Sequence, residues 1–367
     1  MKLFPLIFCL FIFFFKSSAQ TRDDLPKNTY TVGANIFKGI ALQHDNSLAY
    51  LAGTYPGGLE ISIDKNNYGN QPWQQLYNYP DVGLSLTYFD MNNEEVLGKV
   101  VAAIIYLRIH LRRSEKSELF FRLGTGVGYS TNPYDPEDNT TNTVISSTLT
   151  QSMQGRLGYN HWLGNRFKLT SALTLTHFSN GAIKKPNKGI NIPSLNFGMA
   201  YALFKETPEY FTHDLSAIDK KPIHFNLLFA GGVKERDQIG DKKYAFYALS
   251  FFADKQISRR SRLNLGLEGF MDFSARQDVR EGKQLDPGEE PDYKRAGIAL
   301  GHDLLLGKVA LLIQFGVYIY RPYKSDKPIY QKYGLKYFFS EKYFASMLLK
   351  VHYGKADAME WGIGVRF

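Results

Sequence analysis

Strict period-two alternation runs through this chain and constrains its fold more than any other feature. From Leu119 the odd positions read Leu119, Phe121, Leu123, Thr125, Val127 and Tyr129, whereas the even ones include Arg122, Gly124, Gly126, Gly128 and Ser130. The same phase recurs at Phe167, Leu169, Leu173 and Leu175, at Leu195, Phe197, Met199 and Tyr201, and at Val309, Leu311, Ile313, Phe315 and Val317. Side chains of a strand point alternately to opposite faces, so each run predicts a strand with one apolar and one small or polar face. Strands of soluble sandwiches are typically about 5–6 residues. Runs of about 10 residues with an apolar outside and a polar inside suit a membrane barrel.

The rest of the chain agrees. Residues 1–19 (MKLFPLIFCLFIFFFKSSA) place a lysine before an apolar run and end in small residues, the layout of a secretory signal peptide cleaved after Ala19. No later apolar stretch approaches the roughly 20 residues of a membrane helix. An exported chain without such helices is either soluble or a closed outer-membrane barrel. Trp361, Ile363, Val365 and the final Phe367 alternate with Gly362, Gly364 and Arg366, an amphipathic last strand of the kind that ends bacterial outer-membrane barrels.

Counted backwards, strands are expected near 358–367, 342–352, 329–339, 308–322, 293–306, 260–275, 243–255, 222–234, 193–206, 165–179, 144–160, 117–130, 98–111 and 81–90. The fold class expected is therefore all-β: a single transmembrane antiparallel up-and-down barrel over 80–367 with about fourteen strands, in a range of roughly 12 to 16. Residues 20–79 are expected as an N-terminal periplasmic segment, with a possible strand at 57–64. With a periplasmic C-terminus, the polar linkers 131–143, 180–192 and 276–292 fall outside the cell and tight turns such as 340–342 fall inside, the usual asymmetry. Linker 207–221 breaks it, being long yet periplasmic.

Few cofactor chemistries survive. The only cysteine, Cys9, lies in the leader, and the eight histidines show no paired ligand spacing, so no disulfide, metal or cofactor is expected. Gly124-x-Gly126-x-Gly128 has a spacing of two and no following helix, which makes it a lumen face and not a phosphate loop. The formal charge of +9 suits an anionic membrane surface as well as nucleic acid.

One segment carries chemistry: His177-Phe178-Ser179-Asn180-Gly181-Ala182-Ile183-Lys184-Lys185-Pro186-Asn187-Lys188-Gly189-Ile190-Asn191. His177 and Ser179 continue the outward phase of Phe167, Leu169 and Leu173. A histidine beside a serine on one face is the base-and-nucleophile pair of acyl transfer. Asn191 shares the phase of Leu195 and Phe197, and a symmetric hairpin would set it across from Ser179 and near His177. Polar groups facing lipid cost free energy. The alternative reading is a polar girdle at a strand end.

The pattern His177-x-Ser179-Asn180, then Pro186-Asn187-x-Gly189, resembles the lipid A 3-O-deacylase (PagL-like, acyloxyacyl hydrolase) family of outer-membrane β-barrel enzymes. The resemblance covers roughly 80–205, with the motif itself in 177–191, and leaves 222–367 as extra strands. It implies an esterase that removes an ester-linked acyl chain from lipid A or a similar acylated glycolipid of the outer leaflet. It implies His177 as general base, Ser179 as nucleophile, and Asn187 with backbone N–H groups around Asn180 and Gly181 as oxyanion hole. Where the family carries its triad glutamate this sequence has Asn191, which can hold an imidazole tautomer but cannot offer charge. Lys184, Lys185 and Lys188 are candidates for pairing with lipid A phosphates. The competing class is a non-catalytic channel or structural barrel.

Overall fold

The structure, a computed structural model, describes residues 27–204, 209–215 and 221–367; the leader over 1–19 lies outside the described residues. Sixteen strands follow in order: β1 Thr29–Gly39, β2 Gly57–Asn66, β3 Asp81–Asp90, β4 Lys99–Arg113, β5 Ser117–Ser130, β6 Leu149–Leu163, β7 Phe167–Ser179, β8 Ile190–Ala202, β9 Ile223–Glu235, β10 Lys243–Gln256, β11 Ser261–Asp272, β12 Arg295–Leu306, β13 Val309–Tyr320, β14 Ile329–Phe338, β15 Tyr343–His352 and β16 Lys355–Arg366. Among the described residues two short α-helices, α1 (Pro72–Leu76) and α2 (Phe273–Arg280), and a 3-10 helix over Asn46–Leu51 sit in loops.

Every neighbouring pair is antiparallel, but the ladder closes twice. β1 pairs with both β2 and β8, and β9 pairs with both β10 and β16, giving two closed eight-stranded barrels. The all-β, antiparallel, up-and-down class holds, and sixteen strands fall within the expected range. The single closure over 80–367 does not. The N-terminal stretch supplies β1 and β2, and β1 seals the edge of β8 that would otherwise pass the ladder on to β9. Linker 207–221, which broke the loop asymmetry, joins the two barrels.

The alternation sorts side chains as expected. Leu84, Leu86, Leu173, Leu175, Leu195, Phe197, Leu265, Leu267, Leu300 and Phe315 stand exposed on the outer walls. Inside, an eight-stranded closure is only wide enough for side chains to fill it. In the first barrel Glu60 meets Arg122 and Arg156, each through two nitrogens at 2.7 and 3.0 Å. Towards the end that carries α1, Asp64 pairs with Arg108 at 2.8 Å and accepts from Tyr106 at 2.6 Å. At the opposite end, where the 180–189 loop lies, the lumen is apolar: Phe37 and Phe89 rings lie 4.8 Å apart, and Phe178 meets Phe89 edge-on at 5.1 Å. The second barrel is filled likewise, with Glu268 bonded to Lys332 at 2.9 Å and Tyr330 at 2.6 Å, and Lys336 to Asp303 at 3.0 Å. A channel needs an open lumen, and the described residues fill both.

Turn chemistry closes the hairpins. β15 and β16 are joined by Tyr353 and Gly354 alone, with φ of 50° and 86°. Positive φ at both central residues is the type I′ geometry whose twist matches flanking strands, and glycine adopts it without cost.

The double closure is directly testable because the chain after Cys9 has no cysteine. Ile36 and Phe197 are cross-strand partners of β1 and β8 and both point outward. Antiparallel partners lie about 4.5–5.5 Å apart at Cα, within disulfide range. Ile36→Cys with Phe197→Cys should form an intrachain disulfide on mild oxidation, visible as altered mobility on a non-reducing gel. Ile36→Cys with Ile363→Cys, on the strand that one sixteen-stranded closure would set beside β1, should not; the reverse result would overturn the double closure.

Candidate active site

The site is built by what points the other way. In β7, Thr176 and Phe178 are buried in the lumen, and Phe178 is fully enclosed by the apolar plug. Alternation then turns His177 and Ser179 outward, and both are half-buried. Across the hairpin, Ile190 and Ile192 are fully buried, which turns Asn191 outward as well. The outward face expected for His177, Ser179 and Asn191 is the face observed.

The register differs from the symmetric hairpin. Asn191 pairs with His177, and Phe178 with Ile190, so Ser179 lies beyond the last ladder pair of β7 and β8. The cause lies in the preceding residues, because the N–H groups of Lys188 and Gly189 donate to the carbonyls of Thr143 and Val144 in the β5–β6 loop. That sideways pairing takes 188–189 out of the hairpin and shifts the ladder by two residues relative to the symmetric arrangement.

The shift creates a direct contact: His177 Nδ1 lies 2.8 Å from Asn191 Oδ1. A side-chain carbonyl only accepts, so Nδ1 carries the proton and Nε2 keeps its lone pair, the tautomer of a general base. The free edge of the ring rests on Gly189, where a Cβ would stand 2.6 Å from His177 Cε1 and 3.2 Å from Nε2. Gly189 also has φ of +72°, so this position requires glycine for backbone and space alike. Among the described residues no hydrogen bond joins His177 to Ser179 and the Ser179 hydroxyl has none; the Ser179 carbonyl accepts from Thr150 Oγ1 at 2.7 Å. Asn191 is the side chain that hydrogen-bonds the imidazole, and among the described residues no carboxylate pairs with it.

The oxyanion candidates are partly engaged with one another. The Asn180 N–H donates to Asn187 Oδ1 at 3.1 Å, which identifies the other end of that amide, Nδ2, as the available donor. The Asn180 side chain is buried, donating to Ser146 Oγ at 2.9 Å and to the Lys184 carbonyl at 3.0 Å, and so ties down the loop. Gly181 turns the chain out of the strand with φ of +62°.

The three lysines are not gathered on one free surface. Lys188 pairs with Asp45 at 3.3 Å and bonds Ser47, and Lys185 pairs with Asp237 of the second barrel at 3.4 Å. Lys184 is half-buried with no ion pair among the described residues. Thr143 and Val144, and Glu235 and Asp237 of the second barrel, escape sequence reasoning because each reaches the site across long chain separations that no local pattern announces. No group of histidine, cysteine and carboxylate side chains suited to a metal occurs among the described residues.

Comparison with known proteins follows the two barrels. Residues 57–200 match the family model described as lipid A 3-O-deacylase (PagL), and residues 223–367 match that described as acyloxyacyl hydrolase, C-terminal domain. No curated protein matches the chain. Among solved structures, neisserial surface protein A is 9% identical with a TM-score of 0.34, covering 48% of this chain and 98% of its own. The outer membrane enzyme PagL is 16% identical with a TM-score of 0.29, covering 46% of this chain and 97% of its own. The toluene transporter TodX of P. putida is 8% identical with a TM-score of 0.18, covering 92% and 87% respectively. With one matched region on each barrel, the first barrel is a lipid A 3-O-deacylase (PagL) family domain and the second an acyloxyacyl hydrolase C-terminal domain.

Proposed function

We propose that the chain is an esterase that removes an ester-linked acyl chain from lipid A or a similar acylated glycolipid, with Ser179 as nucleophile and His177 as general base. The observation that carries this reading is the 2.8 Å contact between His177 Nδ1 and Asn191 Oδ1 on the lipid-facing wall. It leaves a basic Nε2 on the same face as Ser179, one strand repeat away. A substrate in the outer leaflet reaches that face sideways, without entering a lumen.

Catalysis then follows the acyl-transfer template. Ser179 Oγ attacks the ester carbonyl as its proton passes to His177 Nε2. The tetrahedral oxyanion is held by Asn187 Nδ2 and the Gly181 N–H. Collapse expels the sugar hydroxyl, which takes the proton back from the imidazolium, and water, deprotonated by His177 in turn, releases the fatty acid from Ser179. Asn191 orients the imidazole throughout but supplies no negative charge to the imidazolium. Lys184 is the lysine best suited to a substrate phosphate, because Lys185 and Lys188 already hold carboxylates. The channel alternative is disfavoured by the filled lumens.

Four variants test the assignments, each as purified, folded protein with lipid A as substrate. Ser179→Ala should abolish acyl release, followed by mass spectrometry of the lipid, while heat-modifiable gel mobility remains that of an intact barrel; retained hydrolysis would remove Ser179 from the nucleophile role. Asn191→Glu should raise the rate by about tenfold, since each ~1.4 kcal/mol of imidazolium stabilisation is worth that factor. Asn191→Ala should lower it, and equality with wild type would leave Asn191 without a part in the triad. Gly189→Ala should slow hydrolysis with little change in KM, because the new Cβ displaces the imidazole; a wild-type rate would show that the ring does not need that seat.

A further inference from the structure

The loop that follows Ser179 is held by the second barrel. Glu235, the last residue of β9, is buried and grips it twice: its N–H donates to the Ala182 carbonyl at 3.1 Å, and its carboxylate accepts from the Lys185 N–H at 2.7 Å. Next to it, Asp237 pairs with Lys185 Nζ at 3.4 Å and with Lys355 at 2.7 Å. Burial lowers the Lys185 pKa and Asp237 opposes that shift, as befits a lysine enclosed in a seam and not one free in solvent. On the other side, Leu349 and Met359 on the outer wall of the second barrel pack against Gly181, within 3.4 to 3.6 Å of where its Cβ would be.

The barrels are also tied at the opposite end. Tyr77 donates to the Leu305 carbonyl at 2.9 Å, and Arg260 lies over the Tyr77 ring at 5.4 Å. The described part of the linker is pinned to the first barrel, with the Phe211 N–H on the Tyr68 carbonyl at 2.7 Å and His213 Nε2 on the Gly69 carbonyl at 2.6 Å. Contacts at both ends resist sliding of one barrel against the other.

We propose that the second barrel serves as a buttress for the active-site loop, and that Glu235 is a positioning residue for the oxyanion donors at Gly181 and Asn187. This inference rests on the esterase reading above. Glu235 touches no reacting atom; it fixes the backbone between the two donors at Ala182 and Lys185. A donor displaced from the developing charge is lost mainly from the transition state, so the effect falls on kcat and spares KM.

The test compares full-length wild type, Glu235→Ala, Glu235→Gln and Ser179→Ala on lipid A. Glu235→Ala should lower kcat by about ten- to a hundredfold, the scale of a misplaced or missing oxyanion donor, with KM nearly unchanged. Glu235→Gln should recover most of the loss, because an amide oxygen still accepts from the Lys185 N–H. A wild-type kcat in Glu235→Ala, or equal losses in both variants, would overturn the buttress, whereas full activity in Ser179→Ala would overturn the catalytic reading instead. Amide hydrogen exchange over 181–189 tests the clamp without activity: it should quicken in Glu235→Ala, and unchanged exchange overturns it. Should that variant fail to fold, the charge swap decides. Lys185→Glu should lower kcat and Asp237→Lys in the same chain should restore it, and absence of rescue refutes the seam.

Discussion

Backbone groups facing lipid have no water to bond, so a sheet in a membrane must leave no open edge. Everything in this protein follows from where that requirement is met. β1 seals β8 and β16 seals β9, and the narrow lumens that result force the inward half of every strand to pack against itself. That is why Glu60 lies between Arg122 and Arg156 and why Glu268 is surrounded by Lys332, Tyr330, Ser250 and Gln314. Such charges tolerate burial only as complete networks; removing one partner from a buried pair costs about 3–5 kcal/mol.

The same closure places the site. Phe178, Ile190 and Ile192 belong to the apolar plug of the first barrel, and their burial aims His177, Ser179 and Asn191 at the membrane. A lipid-facing histidine keeps a defined tautomer here because its partner is another outward polar residue on the adjacent strand, at 2.8 Å. The 180–189 loop then bends towards the second barrel, where Glu235 receives it. Site and second barrel are thus neighbours in space although β8 is the only strand between the loop and the linker.

Strand positions were largely legible in the amino-acid order. Each of the expected ranges from 81–90 to 358–367 coincides with a strand to within a few residues, and 57–64 coincides with β2. Alternation is a local property, written wherever one face meets lipid and the other meets side chains. β1 escaped because TYTVGANIFKG alternates weakly, with Gly33 and Ala34 at its centre. The outward phase of His177, Ser179 and Asn191 was equally legible, since it continues the phase of Leu173, Leu175 and Leu195. Their register was not, because the pairing of Lys188 and Gly189 with Thr143 and Val144 comes from a loop more than forty residues earlier.

The amino-acid order by itself determined the all-β class, the course of nearly every strand, the face on which the histidine and serine stand, and the family motif over 177–191. Those properties depend on period two and on neighbours a few residues apart. Only the tertiary structure decided that the ladder closes twice, that Asn191 faces His177 and not Ser179, that Lys185 and Lys188 are paired with carboxylates, and that the site loop leans on Glu235. The physical reason is that an amphipathic strand edge accepts any antiparallel partner with a matching face. Whether β8 joins β1 or β9 is therefore settled by closure geometry and packing, not by anything written in β8 itself.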